Sequence, residues 1–331
     1  MQKSDPPADI LLSIIIVNWN TAQMLADCLQ SLYTTLSINR SILSGQAGAS
    51  HLFALPASCE VIVVDNHSTD GSIDMIREQF PWVKLIANRE NVGFARANNQ
   101  AIDQAGGQYL LLLNPDTVVK AGAVATLLAF INGQDYVGAV GPRLLNADGT
   151  LQPSCSPAPT LRRELWRLFH LDRLIAYAEY PLARWSLHHA HPVDIIKGAC
   201  LMVRRDVLEQ VGSLDEAFFI YSEEVDLCKR IQQAGWRLYW LPQAEVIHYG
   251  AQSTQLVARE MFLNLYRYKV LYFRKRHGER AAALYKVILL LASLARLAAS
   301  PIACLRAREQ RQQCRALTSN YWLLLRLLPE F

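Results

Sequence analysis

The sequence predicts an α/β fold, in which a mostly parallel central sheet with flanking helices is followed by a C-terminal helical appendage. In the first 140 residues, short and continuously apolar runs alternate with amphipathic helical patterns, which is typical of a parallel sheet covered on both faces. The formal charge divides the chain in two, because residues 1–258 carry net −6 and residues 259–331 carry net +10. A length of 331 residues with 51% hydrophobic residues excludes a disordered chain.

Each predicted strand is a short apolar run, and each predicted helix places its apolar residues on one face. The predicted strands span residues 11–17, 60–64, 83–86, 109–113 and, more briefly, 244–247. The predicted helices span residues 21–33 with Asn20 or Thr21 as cap, a segment from Ser68, Thr69 or Asp70 to Phe80, residues 91–105, and residues 161–170. Residues 37–58, rich in Ser, Gly and Ala, are predicted to be a surface excursion.

The predicted domain organisation is one catalytic domain over residues 10–256 and a basic, apolar helical region over 257–331. Within the domain, residues 10–140 form the half expected to bind a nucleotide and 141–256 the second half. An acidic body with a basic tail argues against nucleic acid as the partner and favours a unit held near an anionic surface. The apolar run near the N-terminus lacks a cleavage site, and seven scattered cysteines favour reduced thiols in the cytoplasm.

Polar residues follow every one of the first four predicted strands. Ligands of open parallel sheets bind beyond the carboxyl ends of the strands, so these residues predict a polar crevice for a nucleotide or another polyhydroxylated ligand. At any single position the alternative is ordinary turn chemistry, since Asn, Asp and Ser are common turn residues. The residues are Asn18 and Asn20, then Asp65-Asn66-His67-Ser68, then Asn88, and finally Asn114-Pro115-Asp116.

Asp116 is a candidate metal ligand, because it stands just past a strand end where hard divalent cations bind through one or two carboxylates and substrate phosphates. The alternative is a helix N-cap for the segment after Thr117. His248 follows a predicted strand and becomes a candidate ligand only if the chain returns it to Asp116.

Three carboxylates fall within four residues at Glu223, Glu224 and Asp226. Because they repel one another, at least one is expected to have a raised pKa, which suits a general base. The alternative is a helix N-terminus, where acidic residues offset the dipole, and Asp226 suits that role.

The common phosphate-binding and nucleophile motifs do not occur in the sequence. It contains no G-x-x-x-x-G-K-[ST] loop, no G-x-G-x-x-G after the first strand and no G-x-S-x-G. A phosphate-bearing donor would therefore be held by a cation and side chains, and the residues alone predict a metal-assisted transferase with a nucleotide-like donor.

Seven stretches, covering roughly residues 11–280 in order, resemble the family-2 glycosyltransferases of the GT-A fold, and within them the bacterial rhamnosyltransferase-like branch. They are LSIIIVNWNT (12–21), EVIVVDNHSTDGS (60–72), ANRENVGFARANNQAI (87–102), YLLLLNPDTVV (109–119), VGAVGPRLLNADGTLQPS (137–154), the segment from Lys197 to Pro242, and HYGAQS (248–253).

The resemblance implies an inverting transfer of a sugar, such as rhamnose, from a nucleoside-diphosphate sugar to an acceptor hydroxyl in the synthesis of cell-surface polysaccharide or glycolipid. Asp65 matches the family carboxylate at the pyrimidine base, and Asp116 matches the last residue of the metal-binding D-x-D, whose first position is Asn114. His248 matches a histidine that completes the metal site, implying Mg²⁺ or Mn²⁺. The other positions in the implied donor site are Asn18, Asn88, Asn91, Gly93, Arg96 and Asn98.

The base of the family lies in an acidic pair, which matches Glu223-Glu224 here. We expect Glu224 to be the base, with Glu223 as the other candidate. Lys197 and Gly198 are expected beside the acceptor, where Gly198 permits a close backbone approach. The donor would be a dTDP- or UDP-sugar and the acceptor a glycan or a lipid-linked molecule.

The apolar stretch from Ala281 to Leu305 is interrupted by Lys286 and Arg296, which favours a helix on an anionic membrane surface over a span. The alternative is a helix packed on protein. We therefore expect a cytoplasmic protein, peripheral on the inner face of the cell membrane. Two other function classes remain open, namely a non-catalytic sugar-nucleotide-binding or scaffold subunit and a nucleotidyltransferase, although the latter would carry a Gly-rich basic loop where Asn-Trp-Asn-Thr stands.

Overall fold

The computed structural model describes residues 10–44, 58–175, 177–250, 258–303 and 308–331. Within them the chain forms two compact units. The first unit contains the described residues up to Ser156 together with 182–219 and 223–250. The second contains Pro157–Pro181, residues 220–222 and the described residues from Ala258 onward.

The first unit holds all twelve strands that the structure describes. They are β1 (Leu12–Asn18), β2 (Cys59–Asp65), β3 (Lys84–Ala87), β4 (Tyr109–Leu113), β5 (Thr117–Val119), β6 (Val137–Leu145), β7 (Leu151–Gln152), β8 (Cys155–Ser156), β9 (His191–Val193), β10 (Ile195–Ile196), β11 (Cys200–Arg204) and β12 (Arg237–His248). Its described α-helices are α1 (Ala22–Ser44), α2 (Ser72–Gln79), α3 (Phe94–Gln104), α4 (Ala123–Asn132), α6 (Arg205–Val211) and α7 (Glu223–Gln233).

Ten of these strands form one sheet, whose main path runs β3-β2-β1-β4-β11-β6-β12-β5. The four strands at the β3 end are parallel, with Asn18 beside Asp65 in the register of β1 and β2. The strand β11 runs antiparallel to both β4 and β6, and β12 is parallel to β6 but antiparallel to β5. Strands β7 and β9 pair with β6 and β12, and β8 pairs with β10 in a separate two-stranded sheet.

The core of the first unit covers both faces of the parallel strands. On one face, Ile14 and Ile16 of β1 pack with Leu25 and Leu29 of α1 in a single buried cluster. On the opposite face Ile15 is also fully buried. The apolar runs in the sequence are therefore strands with two buried faces, as predicted.

Four local predictions need correction. Helix α1 continues to Ser44, so residues 37–44 are helical and not part of a surface excursion, and residues 45–57 lie outside the described part. Helix α2 begins only at Ser72, where the Asp70 carboxylate accepts bonds from the Ser72 N–H and hydroxyl. The segment 244–247 is the end of the twelve-residue strand β12, not a separate short strand. Thr117 opens strand β5, so Asp116 is not a helix N-cap.

The second unit is helical in its described residues. It contains α5 (Leu161–Leu168), α8 (Ala258–His277), α9 (Glu279–Ala303), α10 (Arg308–Leu327) and two short 3-10 turns. By length and composition alone, Glu279–Ser300 is long and apolar enough to cross a membrane, and 28% of its apolar window is buried. Five cysteines are free thiols as expected, whereas Cys314 is disulfide-bonded, which the sequence did not predict.

Candidate active site

The polar residues after β1 and β2 form one buried hydrogen-bonded group. The Asn18 side chain donates to Asp65 Oδ2 at 2.8 Å and to the Ser68 hydroxyl at 3.1 Å. Asp65 Oδ1 accepts the Ser68 backbone N–H at 2.8 Å, and Thr21 donates to Asn18 Oδ1 at 2.6 Å. Asn18 and Asp65 are fully buried. Each carboxylate oxygen of Asp65 keeps a second lone pair for a further donor.

Asn66 joins this group to the next loop, a role that its position in the sequence did not reveal. Its side chain donates to Asn91 Oδ1 at 2.8 Å, and its carbonyl accepts the Val92 N–H at 3.0 Å and the Asn88 amide at 3.2 Å. Asn91 Oδ1 in turn accepts the Gly93 N–H at 3.0 Å. Asn88 and Asn91 are therefore held together through one buried amide, in the loop where the donor site was predicted.

Gly93 occupies a position that requires glycine. Its φ is +89°, and a Cβ built there would lie 2.6 Å from the Phe219 ring. The next N–H, of Phe94, donates to the Phe219 carbonyl at 2.6 Å. Only a residue without a side chain allows this approach between α3 and the segment that precedes α7.

Two predicted donor-site residues on α3 lie in different surroundings. Asn98 is buried and donates to the Phe94 carbonyl of its own helix at 2.9 Å. Arg96 is exposed, with its guanidinium 3.9 Å from the carboxylate of Glu216. The exposed Arg96 side chain, in a long ion pair, can turn toward an anion, whereas the buried Asn98 amide donates within its own helix.

The chain does return His248 to Asp116. His248 Nε2 lies 3.3 Å from Asp116 Oδ1 and 3.4 Å from the Asn114 amide nitrogen. The strand β12 brings the histidine there because His248 pairs with Thr117 of β5, the residue after Asp116. Within the described part of the chain, no three His, Cys, Asp or Glu residues cluster as a metal site, so this pair stands with an amide as its third member.

Gln152 fixes the orientation of the His248 ring, and sequence reasoning missed it. Its Oε1 lies 2.7 Å from His248 Nδ1, while its Nε2 donates to Asn146 Oδ1 at 2.9 Å and to the His248 carbonyl at 3.1 Å. Because Oε1 can only accept, Nδ1 carries a proton. Nε2 is then the ring nitrogen that faces Asp116 and the Asn114 amide.

Glu223 and Glu224 open helix α7, directly after Tyr221 and Ser222, which both have φ near +70°. Burial and the neighbouring Glu224 raise the pKa of Glu223 well above its usual value, which confirms the prediction of a raised pKa in this cluster. Asp226 is fully buried and accepts a charge-assisted bond from Arg230 at 2.8 Å. Its role is thus an ion pair within the helix.

Gly198 lies against Glu224, the second member of this acidic pair. A Cβ built on it would be 3.7 Å from Cβ of Glu224. The next residue, Ala199, accepts the Asn114 backbone N–H at 2.9 Å. Lys197 is exposed and its backbone N–H donates to the Ser154 carbonyl at 2.9 Å. Short links therefore connect the acidic pair, through Gly198 and Ala199, to the loop that carries Asn114 and Asp116.

Comparison with known proteins now identifies the family. The family model for glycosyl transferase family 2 matches residues 13–212, more than half of the chain. The chain belongs to this family. It is a rhamnosyltransferase-like glycosyltransferase, an enzyme of sugar transfer in glycan synthesis. The sequence resemblance is thus confirmed.

Two curated relatives carry rhamnosyltransferase names. The chain is 31% identical over 225 residues to N-acetylglucosaminyl-diphospho-decaprenol L-rhamnosyltransferase of Mycobacterium tuberculosis, covering 62% of this chain and 71% of the relative. It is 27% identical over 171 residues to rhamnosyltransferase WbbL of Escherichia coli, covering 48% of this chain and 61% of the relative.

A solved structure has the same fold. Mannosyltransferase PcManGT from Pyrobaculum calidifontis, in complex with GDP-Man and Mn²⁺, matches with a TM-score of 0.54 at 18% identity, covering 97% of this chain and 88% of that one. This likeness confirms the predicted GT-A architecture with its C-terminal helices.

Proposed function

We propose that this glycosyltransferase moves a sugar, with inversion, from a nucleoside-diphosphate donor to an acceptor hydroxyl, and that Glu224 is the base. The observation that carries the proposal is the placement of Glu224, next to the buried Glu223, against Gly198, one residue from the hydrogen bond between Ala199 and Asn114. A base there can serve an acceptor that enters beside Gly198 while the donor lies on the strand ends.

The electrostatics of the acidic pair support different roles for Glu223 and Glu224. Burial and the charge of Glu224 raise the pKa of Glu223, so Glu223 favours its protonated form more than an ordinary glutamate does. We propose that Glu224 acts in its ionised form. Glu224 takes the proton of the acceptor hydroxyl as its oxygen bonds to the anomeric carbon. The bond from that carbon to the diphosphate breaks on the opposite side, and the diphosphate leaves with the electron pair.

At the donor end, the residues after β1, β2 and β3 form the proposed nucleotide site. Asn18 and Asp65 line it for the base, where the second lone pairs of Asp65 can accept from a pyrimidine N–H. The loop held by Asn66 presents Asn88, Asn91 and Gly93, and Arg96 and Asn98 complete the proposed set, with Arg96 as a phosphate contact.

The donor set around His248 fits a divalent cation. The His248 imidazole, whose Nδ1 contacts Gln152, lies 3.3 Å from the Asp116 carboxylate, and Mn²⁺ accepts such mixed oxygen and nitrogen ligands. Asp116 and His248 would hold Mg²⁺ or Mn²⁺ together with donor phosphates, with Asn114 beside them. The ion would supply positive charge to the departing diphosphate.

The relatives support the proposed substrates and the proposed cellular location. The mycobacterial relative is named for rhamnosyl transfer to N-acetylglucosaminyl-diphospho-decaprenol. We therefore propose a dTDP- or UDP-sugar such as a rhamnose donor, a glycan or lipid-linked acceptor, and action at the cytoplasmic face of the cell membrane, in the synthesis of cell-surface polysaccharide or glycolipid. Proposed domain limits remain 10–256 for catalysis and 257–331 for the helical region.

The experiment begins with a screen of nucleotide sugars for thermal stabilisation and for slow hydrolysis, with Mn²⁺ or Mg²⁺. With the donor so found, Glu224→Gln is expected to lower the turnover number by about 10²–10⁴-fold while donor affinity is retained. The matched control is Glu78→Gln, an exposed glutamate of α2, which should turn over normally.

Each outcome of this test has a meaning. Full turnover by Glu224→Gln together with loss in Glu223→Gln would move the base to Glu223. Full turnover by both variants would refute the acidic pair as the source of the base. Donor binding by the wild type without any hydrolysis or transfer would favour the second class of function, a sugar-nucleotide-binding subunit.

A further inference from the structure

The second unit contains a cavity that the proposed transfer reaction does not use. It measures about 800 Å³ and lies among helices α5, α8, α9 and α10. Its wall is largely aliphatic and aromatic, with Leu168, Leu265, Leu297 and Tyr321 among the lining residues. Pockets of this size and lining suit small ligands with a substantial apolar part.

One end of the wall is charged, and the charges do not balance. Glu164 is fully buried and pairs with Lys269 at 2.7 Å and with Arg167 at 2.9 Å. Arg296 also lines the cavity, and among the described residues it has no carboxylate partner. Two cationic side chains thus pair with one carboxylate and a third lines the same cavity, which leaves two formal positive charges on the wall.

Arg296 is held in place by neutral partners alone. Its guanidinium donates to the Leu168 carbonyl at 2.6 Å, and it lies over the ring of Tyr321 at 5.3 Å from the centroid. The neighbouring His170 ring is 3.4 Å away, and burial together with Arg296 and Arg173 lowers the pKa of His170, so this histidine adds no charge at neutral pH. A positioned arginine without a counter-charge is a ready partner for a phosphate.

We infer that this cavity binds a phosphate-bearing lipid, with the phosphate at Arg296, Arg167 and Lys269 and the apolar chain along the leucines. A phosphate monoester carries close to two negative charges and matches the two unbalanced positive charges, whereas a fatty-acid carboxylate would leave one of them over. The inference does not depend on the proposed transfer reaction.

The helix that carries Arg296 also presents an apolar face to solvent. Leu284, Val287, Leu291 and Leu294 of α9 are each about half exposed and recur at helical spacing. The opposite face of the same helix, with Tyr285 and Leu289, is buried. An exposed apolar ridge beside a cationic cavity is suited to taking up a ligand from a lipid surface.

The test measures binding to the full chain by calorimetry, below the critical micelle concentration of each probe. Dodecyl phosphate represents an ordinary alkyl lipid and farnesyl phosphate an isoprenoid lipid. Two control probes each lack one half of the proposed ligand: dodecyl maltoside has no phosphate, and inorganic phosphate has no apolar chain. We expect saturable binding of either or both alkyl phosphates, with the two half-ligands weaker by roughly tenfold or more. The tighter of the two phosphates identifies the source.

Variants locate the binding. Arg296→Gln should weaken alkyl phosphate binding by roughly tenfold or more, whereas the matched control Arg326→Gln, an exposed arginine of α10, should bind as the wild type does. Ala299→Phe places a ring into the cavity from an exposed helix position and should block binding without removing a charge. It decides the question if Arg296→Gln fails to fold.

Three results would overturn the inference. Equal affinity for dodecyl maltoside would show unspecific apolar adsorption. Equal affinity for inorganic phosphate would show a simple anion site. Unchanged binding of alkyl phosphate in folded Ala299→Phe and Arg296→Gln would place the ligand elsewhere on the chain.

Discussion

Two buried glutamates, one in each unit, have opposite electrostatic surroundings. Glu164 of the second unit is fully buried, and burial alone would raise its pKa, but Lys269 and Arg167 outweigh burial and lower it. Glu223 of the first unit is 4% exposed, and there burial and the charge of Glu224 act together to raise the pKa. Equal burial therefore gives opposite shifts, because the neighbours differ in charge.

The opposite shifts indicate that Glu164 stabilises the fold, whereas the Glu223-Glu224 pair is suited to proton transfer. A carboxylate that its neighbours neutralise contributes to stability and has no proton to exchange at neutral pH. A buried carboxylate beside a second one has a raised pKa and lowers the free energy of unfolding above its usual pKa. Proteins keep such a destabilising group where function requires it. The following three predictions test this contrast, from the largest expected effect to the smallest.

The largest effect is expected at Glu164. Glu164→Gln leaves the half-buried Lys269 and Arg167 without a counter-charge at a fully buried position and should lower the free energy of unfolding by about 3 kcal/mol. Denaturant unfolding of the full chain measures it, with Glu260→Gln, an exposed glutamate of α8, as control. A loss no larger than that of the control would mean that the ion pairs do not stabilise the second unit.

An intermediate effect is expected at Gln152, an uncharged residue that fixes the orientation of the His248 ring. Gln152→Leu removes the acceptor for His248 Nδ1, so the ring is free to rotate and to change tautomer. We expect apparent Mn²⁺ affinity, measured as the metal concentration for half-maximal transfer, to fall by about 10–100-fold. Asn146→Leu removes an acceptor for Gln152 Nε2 and a bond to the Thr150 hydroxyl but leaves Gln152 Oε1 at His248, and should have a smaller effect. Equal metal affinity in Gln152→Leu and the wild type would remove His248 from the proposed metal site.

The smallest effect, and the one of opposite sign, is expected at Glu223. Glu223→Gln removes the carboxyl group whose raised pKa costs stability above pH 4.5, and should raise the free energy of unfolding at pH 7 by on the order of 1 kcal/mol. Destabilisation of the same size would show that Glu223 is neutralised by a contact that outweighs burial.

The pH dependence sharpens this prediction, because the two glutamates act in different ranges. The folded pKa of Glu223 is raised, so the stability present below the usual value of 4.5 is lost as pH rises through the folded pKa. The folded pKa of Glu164 is lowered, so its contribution is present above 4.5 and lost as pH falls through the folded pKa. Glu223→Gln should flatten the profile above pH 4.5, and Glu164→Gln should flatten it below.

Much of the sheet could be predicted from the sequence, because its strands are buried on both faces and their apolar runs end within about one residue of the observed bounds. The predicted strand 60–64 is β2 at Cys59–Asp65, and 109–113 is β4 at Tyr109–Leu113. Helix ends were less predictable. The Ser, Gly and Ala residues of 37–58 predicted a surface excursion, yet α1 continues to Ser44.

The residues of the site could be predicted from the sequence, but the hydrogen bonds between them could not. Residues after parallel strands must meet at one edge, which brought Asn18 to Asp65 as expected. The contact between His248 and Gln152 joins residues 96 apart through strand pairing, and no local pattern encodes it. The raised pKa in the acidic cluster followed from adjacent like charges, whereas its assignment to Glu223 needed the burial of each side chain.

The strand β12 has a consequence for the motions of the site. At Val246 and Ile247 it is hydrogen-bonded to β5 on one side and to β6 on the other, and His248 follows immediately in the same ladder. Amides in such positions exchange with solvent only when a large part of the unit opens. The imidazole is therefore attached to a segment that opens rarely, and hydrogen exchange at Ile247 should be slow.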